Sequence, residues 1–493
     1  MKLVFKHIII FIFLPVIGLS QITFPEADRE TYRFYTEQKW DSLLIVGKEA
    51  LKQDIDYFYL RTRMGTAWYE LGKPVKAARQ FRKARDFNAS DTYNNASLYY
   101  SLLNANQTGR ARAISSTIPE GEQAQLGIRK NILRDINLEV GIMYNNAYTK
   151  SDPTSLMDPD SIFGEQDMYG NSYYGHLDFT LNLTKHISLN IGYSYLNFKK
   201  RKLFQYSYFE DQLERRVDTT WGYYNIYSFP RITKQPSFNY VVNQNELTLS
   251  PAFFLNSGFS IKPMFHLVQV SYNNTTVNYS TETVQDTALY IQAIDSAITF
   301  PFNRQSYRVS QSDTSFFNYL ISLLITKDIN LFTFGLTGSW SNLNGRDQYQ
   351  VGFVLDYYPL GNLNFYGNTT LFKIFEQTTG NRLIARQMLG AKVTKWLWLE
   401  GSFIYGDYSN GNLFNGILVY NMSDKIRYSA TGKLIFPIFK QLEVTLIYQY
   451  FARENLIYTL TEVQEGSTTT VVPQNDFMKY QTNSVFLGIK WKL

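Results

Sequence analysis

Alternation dominates the chain from Asp135 to its C-terminus. Ile136, Leu138, Val140, Ile142 and Tyr144 share one face of an extended segment. So do Leu177, Phe179, Leu181 and Leu183, and again Ile187, Leu189, Ile191, Tyr193 and Tyr195. Period two with polar partners predicts strands that are apolar on one side and wet on the other. Fourteen such strands are counted, near 135–148, 172–184, 187–203, 238–255, 259–280, 313–326, 329–342, 347–358, 363–377, 382–394, 396–407, 424–436, 442–458 and 480–493. Gly416 to Asn421 is apolar enough for another strand, but an even number returns the chain to its starting side, so this segment is assigned to a long loop.

The links between strands come in two kinds. Tight ones are read at Thr184-Lys185-His186, Asn256-Ser257-Gly258, Thr326-Lys327-Asp328, Leu360-Gly361-Asn362, Thr394-Lys395 and Phe439-Lys440-Gln441. Long, irregular ones are read at about 149–171, 204–235, 281–311, 409–423 and 459–478. Short turns alternating with long loops are the signature of an outer-membrane barrel, over 135–493 here, with the long loops outside. In the last strand, Val485, Leu487, Ile489, Trp491 and Leu493 share a face, while Gly488, Lys490 and Lys492 oppose them. A final strand of this kind, with Gly488, Trp491 and Leu493, resembles the signal by which barrel assembly machinery recognises its clients. Phe486 stands where that pattern wants a polar residue.

Before the barrel the period changes. Residues 1–20 begin with Lys2 and Lys6, continue with an apolar run from Ile8 to Ile17, and end in Gly18 and Ser20. That is the layout of a secretory signal peptide. Residues 21–125 carry apolar positions three and four apart, which predicts helices, and 126–134 is a linker. The stretch from Met64 to Ser90 resembles a tetratricopeptide repeat (TPR). With the repeat starting at Phe58, Gly65 and Trp68 pack helix A, Leu71 and Gly72 end it, and Ala77, Phe81 and Ala84 pack helix B. A shift of thirty-four residues back places Trp40, Leu43, Gly47 and Ala50 on the same pattern, and a shift forward places Leu98, Tyr99 and Ala111. The expected fold is therefore a TPR-like helical repeat domain, placed in the periplasm, followed by a fourteen-stranded antiparallel outer-membrane β-barrel.

Composition sharpens this picture. Aromatic residues make up 16% of the 493, with 38 Tyr and 36 Phe, a supply suited to the interfacial girdles of a transmembrane barrel. Cys is absent, which excludes disulfides and thiolate metal sites. The formal net charge of +6 gives no reason to invoke nucleic acid. The four His, His7, His176, His186 and His266, show no sequence arrangement with Ser and carboxylates that would mark a hydrolase, so no enzyme, cofactor or metal is expected.

Three charged features remain. Lys73, Lys76, Arg79, Arg82 and Lys83 run without an intervening acid, either as a solvated helix face or as a docking ridge for an acidic periplasmic protein or lipid headgroups. Lys199, Lys200, Arg201 and Lys202 lie at the outer end of the third strand. Alternation sends about half of them outward, toward lipopolysaccharide phosphates, and half to the lumen rim. Asp152, Asp158, Asp160, Glu165 and Asp167 form an acidic loop, without the regular ligand spacing of a calcium site. Asp160-Ser161-Ile162, Asp218-Thr219-Thr220, Asp286-Thr287-Ala288 and Asp295-Ser296-Ala297 resemble acceptors of periplasmic O-glycosylation.

The combined layout resembles YaiO-type outer-membrane proteins and surface lipoprotein assembly modulators. It is also similar to exopolysaccharide exporters, which fuse longer TPR arrays to larger barrels. That resemblance implies a non-enzymatic factor for export or surface assembly, docking an unknown periplasmic protein through its repeats. The alternatives are a passive transport or structural barrel, or a polymer export pore. A lumen plugged by its own loops would argue against free diffusion of any solute.

Overall fold

The architecture comes from a computed structural model that describes residues 22–493 apart from 129–130, 146, 149–160, 211, 229, 256–257, 292–295, 378–379 and 466–467. The signal peptide, Asp152, Asp158, Asp160 and Asp295 lie outside the described residues.

Fourteen strands form the wall: β1 (Leu133–Asn145), β2 (Ser161–Asn182), β3 (Ile187–Phe209), β4 (Ser237–Phe254), β5 (Phe259–Ile291), β6 (Ser296–Ile329), β7 (Phe332–Ser341), β8 (Gln348–Tyr357), β9 (Phe365–Glu376), β10 (Gly380–Thr394), β11 (Leu397–Tyr405), β12 (Lys425–Pro437), β13 (Leu442–Glu465) and β14 (Thr468–Lys492). Each pairs antiparallel with its chain neighbours, and β14 returns to β1 with Ile136 opposite Trp491 and Leu138 opposite Ile489. Closure matters because no water is present in hydrocarbon to satisfy a free strand edge. The apolar faces read from the sequence point outward: Leu138, Val140 and Ile142 on β1, and Val485, Leu487, Ile489 and Trp491 on β14, are all exposed. Gly488 faces inward, where a Cβ would collide with Thr445. This is the architecture of an outer-membrane β-barrel.

Two boundaries moved. The turn read at Thr326–Asp328 lies at Asn330 and Leu331, where Asn330 takes φ +57°. The regions read as long irregular loops are largely strand. β5 and β6 run on as a hairpin of 33 and 34 residues, and Gln212–Thr219, Gly222–Ser228 and Arg231–Lys234 extend the same sheet. These extensions carry β-branched and polar residues on both faces, so no apolar stripe marks them.

The outer mouth is bridged. β12 begins at Lys425, opposite Glu454 of β13, and the start of β2 takes the edge of β13 beyond it, with Ile457 opposite Gln166. In the wall β14 and β1 stand between these strands. The start of β2 therefore bends across the opening, helped by the irregularity between Tyr169 and Ser172.

Among the described residues seven helices precede the barrel: α1 (Phe24–Thr36), α2 (Trp40–Lys52), α3 (Phe58–Glu70), α4 (Pro74–Phe87), α5 (Thr92–Asn104), α6 (Thr108–Ser115) and α7 (Glu120–Gln125). Leu71 caps α3, and Gly72 turns the chain at φ +68°. Gly65 lies so close to the Phe81 ring that a Cβ would sit 2.6 Å from it.

The expected fold class is corrected at this point. The regular helix spacing read as a TPR domain belongs instead to a plug-like set of helices seated on the short-turn end of the barrel. Val75 N–H donates to Gly361 O at 2.9 Å, Asn362 Nδ2 donates to Gly72 O at 3.0 Å, and Arg110 pairs with Asp328. Gly109 presses on the Phe254 ring. A docking domain standing free of the barrel would leave these surfaces to a partner.

Candidate functional site

The lumen is occupied by a segment the sequence reading had placed outside. Residues 406–424, between β11 and β12, fold inward. Gly406 starts the turn at φ +109°, packed against the backbone of β10, and Asn410, Phe414, Asn415 and Gly416 also take positive φ. Asn412–Leu413 and Leu418–Val419 form a small hairpin inside the barrel.

This inward loop is held across the whole lumen. Tyr408 Oη donates to Ser429 Oγ on β12 at 2.6 Å. Gln350 Nε2 on β8 donates to Asn412 O at 2.9 Å, and Asn412 Nδ2 reaches Ser339 Oγ on β7 at 2.9 Å. Asn415 Nδ2 donates to Lys262 O on β5 at 3.0 Å, and Ser322 Oγ on β6 donates to Asn415 O at 2.6 Å. His266 Nδ1–H donates to Gly416 O at 2.7 Å, while His266 Nε2 lies 3.2 Å from Glu246 Oε2. Leu413 and Tyr420 pack into one apolar cluster with Phe372, Ile384, Ile404 and Phe451; Val419 and Met422 pack into another with Phe198, Val268 and Leu320. A segment this apolar is better buried than left in water.

The loop leaves two chambers. The lower holds about 630 Å³ and is lined largely by polar and charged groups, among them Arg134, Glu139, Asp178, Lys262, Asp356 and Lys433. Asn106 to Arg110 of the helical plug contribute to its lining at the short-turn end. The upper holds about 540 Å³ and has an apolar wall of Ile404, Leu413, Leu418, Met422, Ile447 and Phe451. Asn137, Glu139, Asp178, Ile417 and Lys433 line both, so the chambers meet beside Ile417.

The basic ridge is divided between contacts within the chain and exposed positions. Lys73 and Lys76 stand over the Trp68 ring at 5.2 and 4.7 Å, and Lys76 also packs on Gly361. Arg79 and Arg82 line the crevice between α4 and the barrel, with Arg82 at 3.6 Å from Asp328. Burial pushes the Lys76 ammonium and the Arg82 guanidinium below their usual ranges, and Asp328 opposes the shift at Arg82. Lys83 is exposed and pairs with Asp86 at 3.2 Å. Part of the ridge is therefore used within the chain, Arg82 having Asp328 as its partner, while Arg79 and Lys83 remain exposed.

The second basic run divides by alternation. Lys200 turns inward to Asp167 at 3.3 Å and lies over the Tyr169 ring, and Lys202 pairs with Glu165 at 2.6 Å. Lys199 is exposed, and Arg201 lies over the Tyr148 ring at 4.5 Å. Glu165 and Asp167 thus serve as counter-ions, and no cluster of metal-binding groups occurs among the described residues.

One constellation escaped the sequence reading. His176 Nδ1 lies 2.9 Å from Ser194 Oγ, and His176 Nε2 lies 3.0 Å from Asp178 Oδ2. The absence of a Ser and carboxylate around a histidine is corrected accordingly. Register pairing puts His176 opposite Ser194 and Tyr195 opposite Asn245, so the backbone here is committed to the ladder and offers no oxyanion hole. Asp178 also accepts from Asn137 and Asn190, and Ser194 is buried. The arrangement is a wall network.

No family model matches the chain, and no curated protein does. Among solved structures it is similar to the Pseudomonas putida toluene transporter TodX, at 9% identity and TM-score 0.38, covering 78% of this chain and 94% of that one. A Pseudomonas aeruginosa FadL homologue is similar at 9% identity and TM-score 0.39, covering 80% and 94%.

Proposed function

We propose that this chain is a gated, passive transport barrel for small solutes. Its short-turn end and helices face the periplasm, and its long strand extensions face the cell exterior. The observation that carries the reading is the pair of chambers, about 630 and 540 Å³, lying within the wall and meeting beside Ile417. A barrel serving only as a scaffold has no use for internal space of that size, which is on the scale of small-molecule pockets. Loop 406–424 and the helical plug obstruct the path, so passage requires them to shift rather than occurring by free diffusion. No catalytic step is assigned to the wall network at His176.

The export-or-assembly reading loses its main support, because part of the ridge expected to capture a client is seated on the barrel. The test is solute entry into liposomes containing the full chain. Entry of small amphipathic compounds faster than into protein-free liposomes, falling with solute size, is expected. Rates equal to protein-free liposomes for every solute would leave a structural barrel.

A further inference from the structure

The upper chamber contains a cation whose donors are poorly met. Arg453 of β13 is 2% exposed and lines the chamber beside Phe451, over whose ring it lies at 4.8 Å. Its Nη1 lies 3.1 Å from the thioether of Met422 and its Nη2 3.9 Å from that of Met143, with Tyr480 and the Asp424 carboxylate close by; its Nε–H finds no acceptor among the described residues. Thioether sulfur is a weak acceptor, and a buried guanidinium left in this state is costly. The neighbouring carboxylate of Asp424 is taken up by Tyr480 and by Asn455 Nδ2 at 2.9 Å.

A second cation shares the space. Arg386 of β10 lies 4.6 Å over the Phe414 ring of the inward loop, donates one Nη1 bond to Asn368 at 2.6 Å, and leaves its Nε without an acceptor among the described residues. The carboxylates of this chamber are Glu139, Asp178, Glu246 and Glu400; register sets Glu139, His176, Ser194 and Glu246 at one level, with Glu400 opposite Lys433. Arg453 and Arg386 lie outward of these acids, and the third cation, Lys433, stands at the inner level beside Glu400, 3.9 Å away.

We propose that the upper chamber binds a compound with an apolar body and one carboxylate, the carboxylate held by Arg453 with Arg386 as the second cation. A carboxylate supplies the two acceptors that a guanidinium fork matches, and charge-assisted bonds of this kind are the strong ones. The apolar body lies along Ile404, Leu418, Ile447 and Phe451. This rests on the reading of the lumen as a solute path.

The test uses the full chain in nanodiscs and two probes of one shape, phenylbutyrate and phenylbutanol, with binding measured calorimetrically against empty nanodiscs. Saturable binding of phenylbutyrate is expected, at least about tenfold tighter than phenylbutanol. R453Q should lose that preference while still binding phenylbutanol, and R453K should keep part of it. If R453Q fails to give a heat-modifiable barrel, R386Q and R453K carry the test, each weakening phenylbutyrate alone. Equal binding of both probes to the wild type, or an unchanged preference in the folded variants, overturns the proposal and leaves the solute path standing. Binding of neither probe overturns the proposal, and solute entry into liposomes then decides separately whether the path survives.

Discussion

Asp328 is the anion on which the helical plug is seated, and its removal should loosen the plug without touching the barrel. Its side chain is 7% exposed and faces Arg110, itself 11% exposed, and Arg82, 27% exposed and 3.6 Å away. Asp328→Asn keeps the shape and removes the charge. The charge-assisted bond to Arg110 is worth about 1.5–3 kcal/mol. The longer, wetter contact to Arg82 adds less than about 1 kcal/mol. The contacts of Val75 with Gly361, Asn362 with Gly72 and Gly109 with Phe254 remain. A net loss of about 2–3 kcal/mol lowers the ratio of seated to unseated plug roughly 30- to 150-fold.

The assay exploits the absence of cysteine. Ser260 is 1% exposed and accepts from Arg110 Nη2 at 3.2 Å, so it is covered while the plug is seated. A water-soluble maleimide should label Ser260→Cys at a rate set by the unseated population. Adding Asp328→Asn should raise that rate by about the same 30- to 150-fold if unseating is fast compared with labelling. A rate unchanged by Asp328→Asn, in a barrel that still runs as a heat-modifiable band, would refute the seating of the helices on this carboxylate.

Three further outcomes are expected. A chain ending after Lys479 should give no heat-modifiable band, because β14 pairs with both β13 and β1 and its loss opens both edges in hydrocarbon; a normal band would contradict closure by this strand. A cysteine in place of Trp221, 71% exposed on the long-loop side, should be labelled on intact cells, and one in place of Lys185, in a short turn, should not; the reverse pattern would invert the barrel. Gly65→Ala puts a Cβ against the Phe81 ring and should destabilise the α3–α4 pair by about 1–3 kcal/mol, read as faster hydrogen exchange in those helices alone; unchanged exchange would mean the ring can move aside.

Much of the wall was legible because Ile136 to Tyr144 or Val485 to Trp491 must each present one apolar face to lipid, and period two records that directly. The strand extensions were not, since polar residues such as Thr276, Ser280, Glu282 and Gln285 are exposed there and leave no stripe to read. The inward loop was hidden by the parity argument. Its own signal was present in Leu413, Phe414, Ile417, Leu418 and Val419, too apolar a run for an exposed loop, with Asn410, Asn415 and Gly416 marking sharp turns. Arg82 looked free because its counter-ion, Asp328, is far along the chain. Arg453 gave no sign at all, being one polar residue on the inward face of a strand that alternates as expected.

The central claim is that the lumen is a path obstructed by two of the chain's own elements. Planar-bilayer conductance tests it most directly, across four proteins: the full chain, a chain with 408–422 replaced by a short Gly-Ser link, a chain lacking the helices before residue 132, and one with both changes, each confirmed as a heat-modifiable band. Conductance should rise with each single change and be largest with both, because the obstructions lie in series. A doubly altered, folded barrel that conducts no more than the full chain would contradict the claim.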